Sequence, residues 1–266
     1  MNKTRGGWGD GGNSPHLPTS LPPHRERPTS SPPTHLTLTM ALWLTLCGAI
    51  LLVAYLLGSI PTGYIAARLL KGIDIREHGS GSTGATNVLR TLGKGPGLLV
   101  LLVDMLKGVL AIALVYWVFA LASSRNEVFP SVNTSTWLAW MVALAGLAAI
   151  LGHSKSIWLG FTGGKSVATS LGVLLAMSWQ VALGTMGVFG MMLAVSRIVS
   201  LSSITGAIAV SALMLVLHQP LPYQLFAVLG GLYVIWRHYS NIQRLLTGTE
   251  PRLGQKLPKE PEQSLN

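Results

Sequence analysis

The chain has 266 residues, of which 49% are hydrophobic and only 11% charged, with a mean hydropathy of +0.49. Soluble domains carry about 25% charged residues, so too little charge is present to coat a water-exposed surface, and the composition places the chain in a bilayer. Lys and Arg number 19 against 9 Asp and Glu. No basic patch interleaves with aromatics on a soluble module, so that excess reads as membrane orientation and attraction to anionic head groups, not nucleic-acid binding.

Residues 1–39 are compositionally separate, with seven prolines among Gly, Ser and Thr and little apolar surface to bury. Such a segment is expected to be disordered, unless translation starts at Met40, directly before the first apolar run. From Ala41 apolar runs alternate with short polar breaks, and the expected fold is all-α. The predicted spans are 41–70, 97–121, 137–152, 166–178, 180–197, 202–217 and 223–237. Backbone groups must be satisfied internally in lipid, which makes the spans helices. A membrane domain over 40–250 and a flexible cytoplasmic tail over 251–266 complete the expected layout. The lone Cys47 excludes an intrachain disulfide.

Basic residues fix the expected orientation. Arg68, Lys71, Arg76, Arg90 and Lys94 follow span one, Lys155 and Lys165 follow span three, and Arg197 ends span five. Arg237, Arg244, Arg252, Lys256 and Lys259 close the chain, while the other side carries only Arg125. Seven spans therefore put every basic break in the cytoplasm and the N-terminus outside.

Four polar clusters then share the cytoplasmic edge. Residues 74–97 combine Gly79, Gly81 and Gly84 with Ser80, Ser82, Thr83, Thr86, Arg90 and Lys94. Close-approaching amides, hydroxyls and a fixed cation are what a phosphate needs. The second cluster, 152–165, holds His153, Gly163, Gly164 and Lys165; the third, 196–203, holds Ser200; the fourth, 238–250, holds His238, Asn241 and Glu250. Asp104 and Lys107, three residues apart inside span two, share a helix face and read as a structural pair, with a proton relay as the alternative.

Sharper motifs fail on spacing. The GGKS ending at Ser166 lacks the P-loop glycine, because Leu159 stands six residues before Lys165. No Asp follows His153 or His238 by five residues, and the chain has only Asp10, Asp74 and Asp104. His78, His153 and His238 have no helical spacing for a metal, so none is expected. Cations, amides and hydroxyls without a protein nucleophile suit an already activated substrate such as an acyl phosphate, whose reaction needs mainly positioning and charge stabilisation. A small-anion transporter is the competing class.

The stretches GSGSTGATNVLR and LGKGPG, GH followed by FTGGKSVAT, VSLSSI, and NIQRLLTGTE after His238 resemble the bacterial acyl-phosphate:glycerol-3-phosphate acyltransferase family (PlsY), from about Met40 to Glu250. The resemblance implies a seven-helix, cofactor-free inner-membrane enzyme of phospholipid synthesis. Its substrates would be acyl phosphate and glycerol 3-phosphate, its product 1-acylglycerol 3-phosphate, and its partner the soluble phosphate acyltransferase that makes the donor. By position it implies catalytic Ser80, Arg90, His238 and Asn241. Phosphate binding would fall to Gly79, Gly81, Gly84, Asn87, His153, Gly163, Gly164, Lys165 and Ser200, with a structural Glu250. Many members carry Asn-Pro where this chain has Ser82-Thr83. The proton acceptor stays open between His238 and the donor phosphate.

Overall fold

The computed structural model describes residues 34–124 and 134–255. The proline-rich segment, Arg125 and the last eleven residues lie outside the described residues, apart from the start of the first helix. By its contacts the chain divides into Met1–Ala41 and Leu42–Asn266; the packing below belongs to the second unit. Among the described residues the elements are helical. They are α1 (Thr34–Ser59), α2 (Thr62–Lys71), α3 (Ala85–Leu92), α4 (Lys94–Ser124), α5 (Thr134–Ser154), α6 (Val167–Met177), α7 (Trp179–Ser196), α8 (Val199–Val216), α9 (Leu221–Arg237) and α10 (Tyr239–Leu246).

Every expected apolar run is helical, and the protein is an integral, multi-pass membrane protein. The segment α1–α2 and helices α4, α5, α7 and α8 are long and apolar enough to cross a bilayer. Two expectations need correction. The run 166–178 becomes the 11-residue α6, which at helical rise reaches only about 16 Å, short of the roughly 30 Å of hydrocarbon. The run 41–70 is not one helix, because Pro61 cannot continue the ladder and α1 stops at Ser59.

The break leaves carbonyls that lipid cannot satisfy, and two distant side chains meet them. Lys107 on α4 donates to Gly58 O at 3.3 Å and Ile60 O at 2.7 Å. Ser156 Oγ donates to Ser59 O at 2.5 Å. Lys107 also pairs with Asp104 at 2.7 Å, with both side chains nearly inaccessible. The pair thus also caps the end of α1.

Helices α4, α6, α7, α8, α9 and α5 pack in that cyclic order, with α5 closing back on α4. Their apolar core includes Ile112, Val142, Val173 and Met214. A smaller cluster of Ala67, Ile75, Val88 and Val100 seats α2 and α3 against α4. Polarity runs inside out, with Leu69, Leu98, Val195 and Leu246 exposed while Asp104, Lys107, His153, His238 and Glu250 are buried, as expected where lipid is the solvent.

Removing one member of a buried ion pair strands the other charge, typically at a cost of about 3–5 kcal/mol. Lys107→Met should therefore markedly lower the thermal midpoint in detergent. Asp104→Asn/Lys107→Met should recover part of the loss, and not all, because Gly58 and Ile60 stay uncapped. A double variant no better than Lys107→Met would contradict the pairing.

Candidate active site

The first polar cluster is folded by Asn87, from the first turns of α3. Its Oδ1 accepts the Ser80 N–H at 2.9 Å, while Nδ2 faces the carbonyls of Ile75, His78 and Ser82 at 3.2, 2.9 and 2.8 Å. The loop can close on that amide because Gly79 and Gly81 adopt φ of 60° and 68°, where a Cβ is disfavoured. In this arrangement the N–H groups of Asn87, expected to bind phosphate, face loop carbonyls. Ser80 is exposed beside it, and Gly84 caps the start of α3. Arg90, one turn further along α3, is half-buried and donates to Pro251 O at 3.4 Å. Burial lowers its pKa, yet a guanidinium stays charged.

The second cluster wraps around His153. Gly164 N–H donates to His153 O at 3.2 Å, and a Cβ on Gly164 would collide with His153 Nε2. The other face of the imidazole meets the buried pair, with Nδ1 3.5 Å from Lys107 Nζ and 3.7 Å from Asp104 Oδ1. Arg237 Nη2, from the end of α9, donates to Gly163 O at 3.2 Å and Gly164 O at 3.1 Å. Lys165, next in sequence, is thereby aimed at Asn241 Oδ1, to which its Nζ donates. Burial pulls the Lys165 ammonium down to about 8; Glu250 opposes the shift and Arg244, Arg237 and Arg90 add to it.

The third and fourth clusters meet at Glu250. Its Oε1 accepts from Asn241 Nδ2 at 2.6 Å and Ser200 Oγ at 2.7 Å, and its Oε2 from Arg244 Nε at 2.7 Å. Burial works against the carboxylate, but those hydrogen bonds and the Arg244 charge outweigh it and hold its pKa below the usual range. In this arrangement the hydroxyl of Ser200, expected to bind phosphate, donates to Glu250. His238, the residue after α9, lies buried with Nδ1 2.7 Å from Val234 O. That bond makes Nδ1 the donor and leaves Nε2 the lone pair. Burial depresses the imidazole to about 4.

All four clusters line one cavity of about 670 Å³. Ser80, Arg90, Lys94, His153, Lys165, His238 and Asn241 contribute its polar lining. Leu101, Leu171, Leu174, Phe189, Val210 and Phe226 extend it as an apolar chamber among α4, α6, α7, α8 and α9. Cations beside an apolar slot suit an amphiphile with an anionic head.

A family model for glycerol-3-phosphate acyltransferase matches residues 48–248. The chain belongs to that family. A glycerol-3-phosphate acyltransferase of Nostoc sp. is 72% identical over 225 residues, covering 85% of this chain and all of the relative. One from Acaryochloris marina is 60% identical over 217 residues, 82% of this chain and 96% of the relative. The crystal structure of PlsY, an integral membrane glycerol 3-phosphate acyltransferase, in its glycerol 3-phosphate form is 39% identical with a TM-score of 0.68. It covers 78% of this chain and 96% of that one. A second PlsY structure, the lysophosphatidic acid form, has a TM-score of 0.66 at 38% identity, covering 78% and 95%. The protein is an acyltransferase enzyme of lipid synthesis.

Sequence reasoning gave no site role to Arg237 and Arg244. Arg237 ends the last span and Arg244 follows it, where an arginine reads as an orientation signal. Their partners, two loop carbonyls and Glu250, are set by tertiary folding. The Gly164–His153 contact gives a direct test. Gly164→Ala should displace either the imidazole or Lys165 and lower acyltransferase kcat/KM at least about tenfold, given the sensitivity of catalysis to small misplacements. Unchanged kinetics would mean the loop tolerates a Cβ there.

Proposed function

We propose that the protein transfers an acyl group from acyl phosphate to glycerol 3-phosphate, giving 1-acylglycerol 3-phosphate and phosphate. The observation that carries the donor assignment is the cavity itself, where fixed cations and hydroxyls adjoin an apolar chamber with no activated protein nucleophile among the described residues. Such a site can position two phosphates and neutralise charge, and it suits a carbonyl that arrives activated. The names of the two PlsY forms support glycerol 3-phosphate as acceptor and a lysophosphatidic acid as product.

In this scheme the acceptor hydroxyl attacks the acyl carbonyl carbon and the bond to the phosphate oxygen breaks. Arg90 and the loop at Ser80 hold the donor phosphate. Lys165, backed by the glycine loop around His153, holds the acceptor phosphate. Asn241 keeps Lys165 in place, and His238 accepts a hydrogen bond from the hydroxyl through Nε2. An imidazole at about 4 is a weak base, so the hydroxyl proton ends on the inorganic phosphate released when the acyl–oxygen bond breaks. Basic residues in the last turns of α2 and α9 and Arg197 just after α7 support a site that faces the cytoplasm from the inner membrane. A soluble phosphate acyltransferase would supply the donor, and residues 40–250 would form the catalytic domain.

The deciding assay incubates purified protein with acyl phosphate and glycerol 3-phosphate. Phosphate release that needs both substrates is expected, with no transfer from acyl-CoA. Uptake of glycerol 3-phosphate into liposomes without chemistry would overturn the proposal. Arg90→Ala should lower kcat/KM by about 10²–10³-fold or more, since charge stabilisation is usually the largest contribution. His238→Gln should keep measurable turnover with an unshifted pH profile; complete loss would restore the histidine as base.

The pH dependence follows from Lys165 at about 8. Below that value the ammonium is present and binds the phosphate ester; above it the proton is lost, and affinity falls by up to about tenfold per pH unit. Below about 6 the ester loses its second charge. The KM for glycerol 3-phosphate should be lowest between these limits. A KM that stays flat from pH 7 to 10 would exclude Lys165 as its cationic partner.

A further inference from the structure

We propose that Arg244 is a positioning residue for the acceptor phosphate, acting on Lys165 through Glu250 and Asn241. Resting on the substrate assignment above, this adds a residue that touches no substrate.

Arg244 grips Glu250 twice. Its carbonyl accepts the Glu250 N–H at 3.1 Å and the Thr249 N–H at 2.8 Å. Its Nε holds Glu250 Oε2 at 2.7 Å. One residue therefore fixes both the main chain and the carboxylate of Glu250. The other oxygen, Oε1, takes the Asn241 N–H at 2.6 Å. An amide that donates from Nδ2 to a carboxylate must present Oδ1 on its other side, and Oδ1 is what Lys165 Nζ meets. Were Asn241 to flip, Nδ2 would face the ammonium, donor against donor.

Charge gives the second half of the relay. An ammonium near a buried carboxylate pairs with it unless that carboxylate is already neutralised. Arg244 supplies the neutralisation, so Lys165 hydrogen-bonds a neutral amide and keeps its remaining N–H groups for a phosphate. The charged or titratable groups around Lys165 are Arg90 from α3, Arg237 and His238 at the end of α9, Arg244 from α10, and Glu250. Only Glu250 among them attracts the ammonium. Removing the Arg244 charge therefore strengthens that pull and takes away one repulsive cation, and both effects raise the Lys165 pKa.

The test compares purified full-length wild type, Arg244→Leu and Arg244→Lys across pH 6 to 10. Wild-type turnover with acyl phosphate and glycerol 3-phosphate comes first, because its absence would overturn the reaction itself and not the relay alone. For Arg244→Leu the KM for glycerol 3-phosphate should rise at least about tenfold at pH 7, with kcat within about threefold. The alkaline limb of kcat/KM should move upward. Arg244→Lys should restore most of the affinity, since it keeps the charge without the planar fork. A lost kcat with unchanged KM, or an unmoved limb, overturns the relay. Should Arg244→Leu fail to fold, Glu250→Gln reads the same coupling with the opposite sign. Its limb should move downward, because Lys165 loses the carboxylate that attracts it, and an unmoved limb there is equally fatal.

Discussion

Glu250 is the carboxylate on which the site depends. It stands beyond the last apolar helix, yet its oxygens join α8 through Ser200 and α10 through Asn241 and Arg244. A buried carboxylate is costly unless every lone pair is engaged, and here three side-chain donors engage it. That requirement draws the polypeptide after α10 back over the cavity, where Arg90 reaches Pro251 O and Leu253 N–H meets Arg197 O. The segment after the membrane helices thus forms one wall of the cavity.

A second buried charge group does comparable work nearer the membrane. Asp104 and Lys107 sit on α4, but their partners belong to α1 and α5. Lys107 caps the carbonyls exposed at the Pro61 break, and the pair backs the imidazole of His153. His153 in turn supports the glycines that aim Lys165. A pair legible in the sequence only as two helix neighbours links the helix break to the proposed phosphate loop. Its low accessibility makes that link rigid, because neither charge can be released to lipid.

Much of this was readable beforehand, for physical reasons that differ by feature. The long apolar runs specify helices because bilayer backbone has no other way to satisfy itself. The four polar clusters stood out because caps and snorkelling anchors account for any one of them but not for four on one edge. The short α6 was less legible, since its apolar run continues through Ser178 into α7, and composition cannot say where one helix stops. Roles were harder still. Asn87 and Ser200 read as ligands because their side chains can donate to phosphate, and nothing in the sequence showed that loop carbonyls and Glu250 would face the same hydrogens. Arg237 and Arg244 were hidden for the opposite reason: an arginine after a span already has a sufficient explanation. Which donor is spent and which is spare depends on contacts across dozens of residues.

The concentration of cations follows from the solvent. A long acyl chain moving from the bilayer into the apolar chamber leaves one hydrocarbon environment for another, and gains little of the hydrophobic free energy that drives binding from water. Affinity for such a substrate has to come from its head. Arg90, Lys94 and Lys165 line the same cavity as the apolar chamber, where low dielectric strengthens each interaction with an anion. The same low dielectric penalises a lysine left charged without a partner, and Lys165 is held close to losing its proton. A phosphate dianion reverses that penalty on arrival. The cation is thus poised to bind an anion, while the apolar walls supply shape and exclude water from the proposed activated donor.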